Sequence, residues 1–315
     1  YKMPLSVKME GELNVGKIKN SLIELTSRHE ILRTKLLFVN DRPVQKILNN
    51  VDIDFEYIEN TNLSDDDLIK SFIRPFDLSN PPFFRCEIIQ RKDYYLFLFD
   101  MHHIISDGQS MNIFFKELFD LYNGEQLKEL PIQYKDYSEY INGLDLDKQR
   151  DYWLEQFSDD IPILDLPLDK IRPKIQSFKG KHKSFTIDDY LIKDLAKQYN
   201  ATDFMVVLSI IYILLSKYTG QDDIVVGTPV SNRLNVELND LLGMFVNTLP
   251  LRSKINDNGT YGDFLSQVKD LVLNSYDNQQ YPFESLVDDL PVNRDMGRNP
   301  LFDCMVAFQN NENID

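Results

Sequence analysis

Cysteine, histidine and tryptophan are scarce in this chain of 315 residues. It has two cysteines, four histidines and one tryptophan. Cys86 and Cys304 each lie in an apolar run typical of a strand, so we expect buried thiols and no disulfide. Two histidines are adjacent, but His29 and His182 are far from them, and no cysteine pair is near. The sequence therefore predicts no metal site, because zinc-type spacing is absent.

Positive charge is also in short supply. The chain has 34 Lys and Arg against 50 Asp and Glu, a net charge of −16. Such a chain is repelled by nucleic acid and by anionic membrane surfaces, so we expect neither as a partner. The longest apolar stretch, residues 204–215, is too short to span a bilayer, and no signal peptide is visible. We expect a cytoplasmic protein, and because the chain begins with Tyr1 we expect part of a longer polypeptide.

Two histidines lie side by side between a predicted strand and a predicted helix. His102 and His103 follow an aromatic, apolar run, and a segment with helical spacing begins after Asp107-Gly108. Imidazole exchanges protons near neutral pH, and a helix start offers unpaired N–H groups to a negative partner. An Asp-Gly turn and a histidine beside a strand are, on the other hand, commonly structural. The residues alone leave both an acid–base site and a structural loop open.

Strands and helices occur in runs along the chain, without strict βαβ alternation, which favours an α+β architecture. A helix is predicted after Asn14, which can cap it. Three prolines between residues 161 and 173 mark a linker. The other predicted elements are hairpins over 36–48 and 83–99, a polar helix over 134–157, a strand over 178–187, helices over 188–199 and 202–218, and strands over 223–227 and 302–308.

Six segments in a fixed order form a recognisable set. They are RHEILRT (28–34), HHIISDG (102–108), YKDY (134–137), LGMFVNTL (242–249), NQQYPFE (278–284) and RDMGRNPL (294–301). Together they resemble the motifs of the condensation domains of nonribosomal peptide synthetases. These domains belong to the HHxxxDG acyltransferase superfamily, with the chloramphenicol acetyltransferases as relatives. The family's usual first motif, an SxxQ-type segment, is missing here.

The resemblance implies an α+β fold of two chloramphenicol-acetyltransferase-like lobes in a V-shaped pseudodimer. The N-terminal lobe, residues 1–157, would carry HHxxxDG. An inter-lobe linker would follow over 158–177, and the C-terminal lobe would comprise 178–315. Because family members continue well beyond the last motif, we expect the C-terminal lobe to be incomplete.

The resemblance also implies a reaction. The amine of an acceptor aminoacyl thioester attacks a donor acyl or peptidyl thioester, and an amide bond forms. Both reactants would arrive on the 4′-phosphopantetheine arms of donor and acceptor peptidyl carrier domains, with an adenylation domain as neighbour and no directly bound cofactor. The alternatives are an epimerisation-type relative, a non-catalytic docking member of the superfamily, and a free-standing acyltransferase acting on an alcohol.

The site residues implied by the resemblance centre on the HHxxxDG loop. His103 is expected to take the proton of the attacking amine or to hold that amine, and the sequence leaves both open. His102 is expected to orient the loop. Asp107 is expected to bond locally or to pair with an arginine, and not to act as a base. Gly108 lets the backbone come close to substrate, and its N–H is a possible oxyanion donor.

Further residues are expected to support this loop. Related folds tie the loop to an arginine, and here we favour Arg28 over Arg33 as the partner of Asp107. A second group is expected near the substrate tunnel, with a turn making ordinary core contacts as the alternative. This tunnel group consists of Gly243, Phe245, Asn247 and Thr248.

Overall fold

The protein has a mixed structure of strands with alternating apolar residues and of capped helices. The computed structural model describes residues 2–177, 179–292 and 295–309. The chain divides into two compact units. Within the described residues, the first unit comprises 2–144 and Arg233–Phe245. Its strands are β1 (Leu5–Met9), β2 (Thr34–Val39), β3 (Arg42–Ile47), β4 (Asp54–Ile58), β5 (Phe84–Gln90) and β6 (Tyr95–Met101), and its helices are α1 (Val15–Arg28), α2 (Asp65–Phe72), α3 (Gly108–Asn123) and α4 (Tyr134–Asn142).

The strand β6 runs through the middle of the first unit. Four strands form a sheet in the order β1-β6-β5-β4, and β6 pairs antiparallel with both of its neighbours. Phe97, Phe99 and Met101 are buried on one side of β6 against α1 and α3. Each such side chain contributes roughly 1.5–3 kcal/mol on burial. The end of β6 is therefore rigid, and it leads directly into His102.

The two helices on this sheet begin where the sequence predicts. Asn14 caps α1, its side chain accepting a hydrogen bond from the Lys17 N–H at 3.0 Å. Asp107 caps α3 in the same way through Ser110. Such a cap is worth about 1 kcal/mol because it satisfies an N–H that lacks an intrahelical partner. The predicted hairpins are confirmed as β2–β3 and β5–β6.

The second unit comprises Asp145–Asn232 and residues from 246 onward. Its central strand, β7 (Asp223–Val230), lies between the antiparallel strand β8 (Asn247–Lys254) and the parallel strand β9 (Cys304–Met305). Its helices are α5 (Asp147–Gln156), α6 (Tyr190–Gln198), α7 (Asp203–Thr219), α8 (Tyr261–Asp277) and α9 (Phe283–Asp289). The predicted α+β class is confirmed.

Two predicted elements differ from the structure. The single helix over 134–157 is two helices, because the chain breaks at Gly143 after α4. The strand over 178–187 does not form in its described part, residues 179–187, and Phe178 lies outside the described residues. Phe185 is 81% exposed there. A strand needs a neighbour for its backbone hydrogen bonds, and no described strand pairs with this segment.

The units also divide the chain differently from the predicted lobes. The predicted boundary fell after residue 157, but Trp153 and Phe157 are buried in the core of the second unit. The Trp153 indole N–H donates to the Asn278 carbonyl there, at 2.9 Å. The segment Arg233–Phe245 belongs to the first unit, where Leu242 joins the core. Apolar burial therefore moves the division to residue 144 and returns a later segment to the first unit.

No single helix in the described ranges is long and apolar enough to cross a membrane, and only the sharply bent pair α6 and α7 meets the requirement by length and composition. The helix α7 lies largely in the second core. Both cysteines are free thiols, and burial raises the pKa of each.

Candidate active site

His102 is a structural part of the loop that follows β6. Its backbone N–H donates to the Phe83 carbonyl at 2.8 Å, and its Nδ1 atom accepts a hydrogen bond from the Ile104 N–H at 3.0 Å. An Nδ1 that accepts carries no proton, so the neutral ring is protonated on Nε2. Burial lowers the pKa of His102. Phe76 meets the ring edge-on at 5.9 Å between centroids. These contacts hold His102 within the turn, and its predicted role in orienting the loop stays a prediction.

His103 opens the short 3₁₀ turn His103–Ile105. The residue is half-buried, and its Nδ1 atom is buried without a hydrogen-bond partner among the described residues. A buried ring nitrogen without a partner is unusual, because desolvation is costly unless a hydrogen bond compensates for it. The His103 imidazole is thus the group in this loop whose hydrogen-bonding capacity is not used by the fold.

Asp107 is fully engaged by its neighbours. Its Oδ1 atom accepts from the Ser110 N–H at 2.8 Å, and its Oδ2 atom accepts from the Phe245 N–H at 3.2 Å. The Arg233 guanidinium lies 3.2 Å from Oδ1 and 3.4 Å from Oδ2. The side chains of Asp107 and Arg233 are each 1% exposed. With its lone pairs committed to these donors, Asp107 fixes the loop and is not placed to act as a base.

The arginine that ties the loop is Arg233, and the prediction of Arg28 or Arg33 was wrong. Arg28 forms a bidentate pair with Glu117, with N–O distances of 3.0 and 3.1 Å. His29 Nε2 lies 2.7 Å from the same carboxylate. Arg33 donates to the Leu48 carbonyl. The RHE segment therefore fastens the end of α1 to the middle of α3, about ten residues from Asp107.

Arg233 and Ser110 form a second layer under the loop. The Ser110 hydroxyl donates to the Gly243 carbonyl at 2.8 Å and accepts from the Gly243 N–H at 3.1 Å and from Arg233 at 2.9 Å. Arg233 also donates to the carbonyls of Leu238 and Leu241. These contacts staple the segment Arg233–Phe245 to the first turn of α3. Neither residue was singled out in the sequence, because no local pattern reveals a partner more than 120 residues away.

Gly108 starts α3 in open surroundings. A Cβ atom added there would meet nothing within 4 Å, and the residue is exposed. Its N–H has no acceptor among the described residues, as is usual at the first turn of a helix. The glycine is therefore not required by packing. Its open face and unpaired donor fit a group that approaches the backbone from outside, such as an oxyanion.

Gly243 and Phe245 belong to the first unit, together with the histidine loop. A Cβ atom at Gly243 would lie 2.1 Å from the Tyr134 ring, so only glycine fits. The Tyr134 hydroxyl donates to the Met244 carbonyl at 2.8 Å. Phe245 is buried, and the Arg233 guanidinium lies 3.8 Å from its ring centre. Gly243 and Phe245 support the loop through their backbone contacts with Ser110 and Asp107. Their predicted place along a tunnel stays a prediction.

Asn247 and Thr248 make their described contacts in the second unit. The Asn247 amide donates to the carbonyls of Gln279 and Tyr281, both at 2.7 Å, and its oxygen accepts from the Phe283 N–H at 3.1 Å. It accepts from the Thr248 N–H as well. Asn247 thus fastens the loop of the NQQYPFE segment before α9. The LGMFVNTL segment therefore contributes to both units, because Phe245 belongs to the first unit and Asn247 to the second.

No group of three or more His, Cys, Asp or Glu side chains within the described ranges is placed to hold a metal ion. The loop instead offers the His103 imidazole and the Gly108 N–H. The buried pair of Asp107 and Arg233 holds the loop that carries both groups. Such an arrangement can accept a proton and stabilise a developing negative charge.

Comparison with known proteins places this chain in a family. The family model described as "Condensation domain" matches residues 1–314. Bacitracin synthase 3 of Bacillus licheniformis is 42% identical over 323 residues, which covers 100% of this chain and 5% of that protein. Tyrocidine synthase 2 of Brevibacillus parabrevis is 44% identical, with 99% of this chain and 9% of that protein covered. The chain thus corresponds to a small part of each of these relatives.

Solved structures agree in fold. A holo four-domain nonribosomal peptide synthetase bound to AMP and glycine superposes with a TM-score of 0.87 at 25% identity, over 98% of this chain and 25% of that one. The X-domain from teicoplanin biosynthesis gives a TM-score of 0.86 at 21% identity, over 96% of this chain and 72% of that one. Its similarity shows the fold alone. From its matched family model, its close relatives and its fold, the chain belongs to the condensation-domain family of nonribosomal peptide synthetases.

Proposed function

We propose that the chain joins a donor acyl or peptidyl thioester to the amine of an acceptor aminoacyl thioester. The nitrogen–carbon bond of the amide forms, the carbon–sulfur bond of the donor breaks, and the donor thiol leaves with the proton that the amine gives up. The product is an extended thioester on the acceptor. A thioester is already activated, so the catalyst has to align the reactants, manage one proton and stabilise one oxyanion.

A single observation carries this proposal: most polar side chains of the loop bond to one another, but the His103 imidazole does not. Asp107, Ser110 and Arg233 satisfy one another, and His102 bonds within the turn. Among the described residues, the His103 Nδ1 atom is buried without a hydrogen-bond partner, and the exposed Gly108 N–H at the start of α3 has no acceptor. They are the groups that the two chemical tasks require, a proton acceptor and an oxyanion donor.

The reactants would be carried by partner domains. The relatives are multidomain synthetases, and donor and acceptor carrier domains with a neighbouring adenylation domain fit this chain as partners. The 4′-phosphopantetheine arms belong to those carriers, and the open space at Gly108 suits an approaching thioester. An enzyme is favoured over a docking member because both histidines and the glycine of the signature are present.

The test is product formation by His103 variants. Donor and acceptor carriers are loaded, and the dipeptidyl thioester is followed by mass spectrometry. We expect His103→Ala to lower the rate at least about 100-fold, because general base catalysis contributes a factor of this size. His182→Ala, at an exposed position outside the helices and strands, is the matched control and should keep the rate.

A third variant separates the two roles left open for His103. His103→Gln keeps a hydrogen-bonding group but cannot take up a proton near neutral pH. A rate close to wild type in His103→Gln indicates a positioning group, whereas a loss equal to that of His103→Ala indicates a base. A wild-type rate in His103→Ala would contradict the proposal.

A further inference from the structure

One face of the β2–β3 hairpin combines apolar residues with cations. In an antiparallel pair, directly opposite residues point to the same side, and the side alternates along each strand. The register pairs Lys35 with Lys46, Leu37 with Val44, and Val39 with Arg42. The residues that share this side, called the basic hairpin face below, are Lys35, Leu37, Val39, Arg42, Val44 and Lys46.

The outer end of the hairpin is exposed on both sides. On the side of β2 opposite the basic hairpin face, Leu36 packs against the core of the first unit, whereas Phe38 is 80% exposed. On the basic hairpin face, Val39 is 51% exposed and Val44 is 36% exposed. The two strands are joined by a tight turn in which Asn40 and Asp41 have positive φ, as a two-residue hairpin requires. A short, well-defined turn holds this exposed surface in one shape.

The charges of this face work against the stability of the hairpin. Lys35 and Lys46 lie directly opposite each other, and like charges in that position are destabilising. Neither lysine, nor Arg42, lies within 4 Å of a carboxylate oxygen in the described ranges, although Lys35 is near enough to Asp77 to help lower the pKa of that carboxyl. An acidic residue at position 46 would remove this repulsion. The hairpin therefore carries a repulsion that its own stability does not require.

We propose that the basic hairpin face docks a carrier domain of the synthetase, and this rests on the proposed function. The arm of a carrier is joined to its protein through a phosphodiester, which is an anion at the carrier surface. Two lysines and an arginine are suited to such an anion. The valines and Leu37 supply the apolar centre, and the cations the polar rim, that a protein interface requires.

Other partners fit this surface less well. The three cations of this face attract an anionic partner only at close range, because the chain as a whole has a net charge of −16. Nucleic acid and anionic membranes are large and negatively charged, so the rest of the acidic surface repels them. The apolar residues at the centre of the face also suit a protein partner. A carrier that touches the face directly senses the local charge, because separations beyond about 10 Å are screened by salt.

The test compares one substrate in two forms. We would use the full chain and phosphopantetheinylated carrier domains of tyrocidine synthase 2, a relative of 44% identity. The donor and acceptor groups are presented on these carriers, or as soluble pantetheine thioesters that have no carrier. The variant is Lys46→Glu, and the control is Lys92→Glu, an exposed lysine in the turn of the other hairpin.

We expect Lys46→Glu to raise the KM for carrier-borne substrate about tenfold or more and to leave turnover of the soluble thioesters unchanged. Its melting temperature should stay the same or rise, since the repulsion with Lys35 becomes an attraction. Lys92→Glu should change none of these quantities. Varying the donor and the acceptor carrier separately identifies which of them docks.

The proposal is overturned if Lys46→Glu and wild type have the same KM for carriers, or if both substrate forms lose rate equally. It is also overturned if the variant changes self-association of the chain in sedimentation, because a second copy would then occupy the face. If wild type turns over neither substrate form, the proposed function fails. Docking is then judged by calorimetric titration with the same carriers, where wild-type binding weakened by Lys46→Glu supports it, and absent or unchanged binding refutes it.

Discussion

Asp107 shows why one buried residue can fix a whole loop. Its carboxylate accepts from two backbone N–H groups and pairs with Arg233, and both side chains are almost completely buried. A buried ion pair is tolerated only when further hydrogen bonds satisfy both partners, because desolvation of the charges is costly. Arg233 donates to two carbonyls and to the Ser110 hydroxyl, and only its Nε atom is buried without a partner among the described residues. The loop is held by this whole set of hydrogen bonds, and not by the attraction between Asp107 and Arg233 alone.

Removal of one partner should therefore be severe. We expect Arg233→Met to lower the free energy of unfolding by about 3–5 kcal/mol, because Asp107 is left charged and buried without its partner. Urea denaturation followed by circular dichroism measures the change. Arg42→Met, at an exposed position, should stay within about 0.5 kcal/mol of wild type.

A compensating change tests the cause of this loss. Asp107→Asn in the Arg233→Met background removes the stranded charge but keeps an oxygen that can cap α3. We expect the double variant to be more stable than Arg233→Met alone. If the two are equally stable, lost packing against Phe245 explains the effect and not the charge.

At the level of single residues, the sequence located the residues of the loop but not all of their partners. His102, His103, Asp107 and Gly108 could be named from one contiguous motif, and the structure places all four in one loop. The arginine could not be named, because Arg28 and Arg233 are both cationic and only the fold decides which one reaches Asp107. Arg28 faces Glu117 instead, a residue without any sequence signal.

At the level of elements, capping and alternation located the hairpins and α1, but failed where strands depend on neighbours. Residues 36–48 and 83–99 carry their own turn signals and their own partners. The segment 179–187 has a strand-like pattern without a described partner, and it stays irregular. Local sequence can specify a hairpin because both strands lie within it. It cannot specify a strand whose partner is distant.

The turn between β6 and α3 should make stability depend on pH. Burial holds the pKa of His102 below its ordinary value of 6.5, so the unfolded chain takes up the proton first as the pH falls. Protonation of Nδ1 also removes the acceptor of the Ile104 N–H. The free energy of unfolding should therefore fall as the pH drops below about 6.5, until the folded pKa is passed.

This slope is measured as the difference between wild type and His102→Asn. The asparagine oxygen can accept from the Ile104 N–H but does not titrate, so we expect a flatter profile between pH 7 and pH 5. His182→Asn, which is exposed, should keep the wild-type profile. Parallel profiles for wild type and His102→Asn would show that another group causes the pH dependence.

At the scale of the whole chain, the important feature is that the first unit is not continuous. The segment Arg233–Phe245 returns to it after some ninety residues in the second unit. It brings the ionic partner of Asp107, the backbone that satisfies Ser110, and Leu242 for the core. A linear division into lobes misses this return, because nothing in the local sequence of the segment shows where it packs.

The return segment gives a test of how the chain completes the loop of residues 102–108. A fragment of residues 1–144 lacks Arg233, so we expect it to be less stable than the first unit in the full chain, with buried Asp107 unpaired. A synthetic peptide of residues 233–245 should bind this fragment and raise its melting temperature in proportion to the logarithm of peptide concentration above the dissociation constant. The same peptide with Arg233→Met keeps Leu242 and Phe245 but loses the guanidinium. Equal stabilisation by both peptides would show that apolar packing alone returns the segment, whereas stabilisation by the natural peptide only would show that the ion pair with Asp107 selects it.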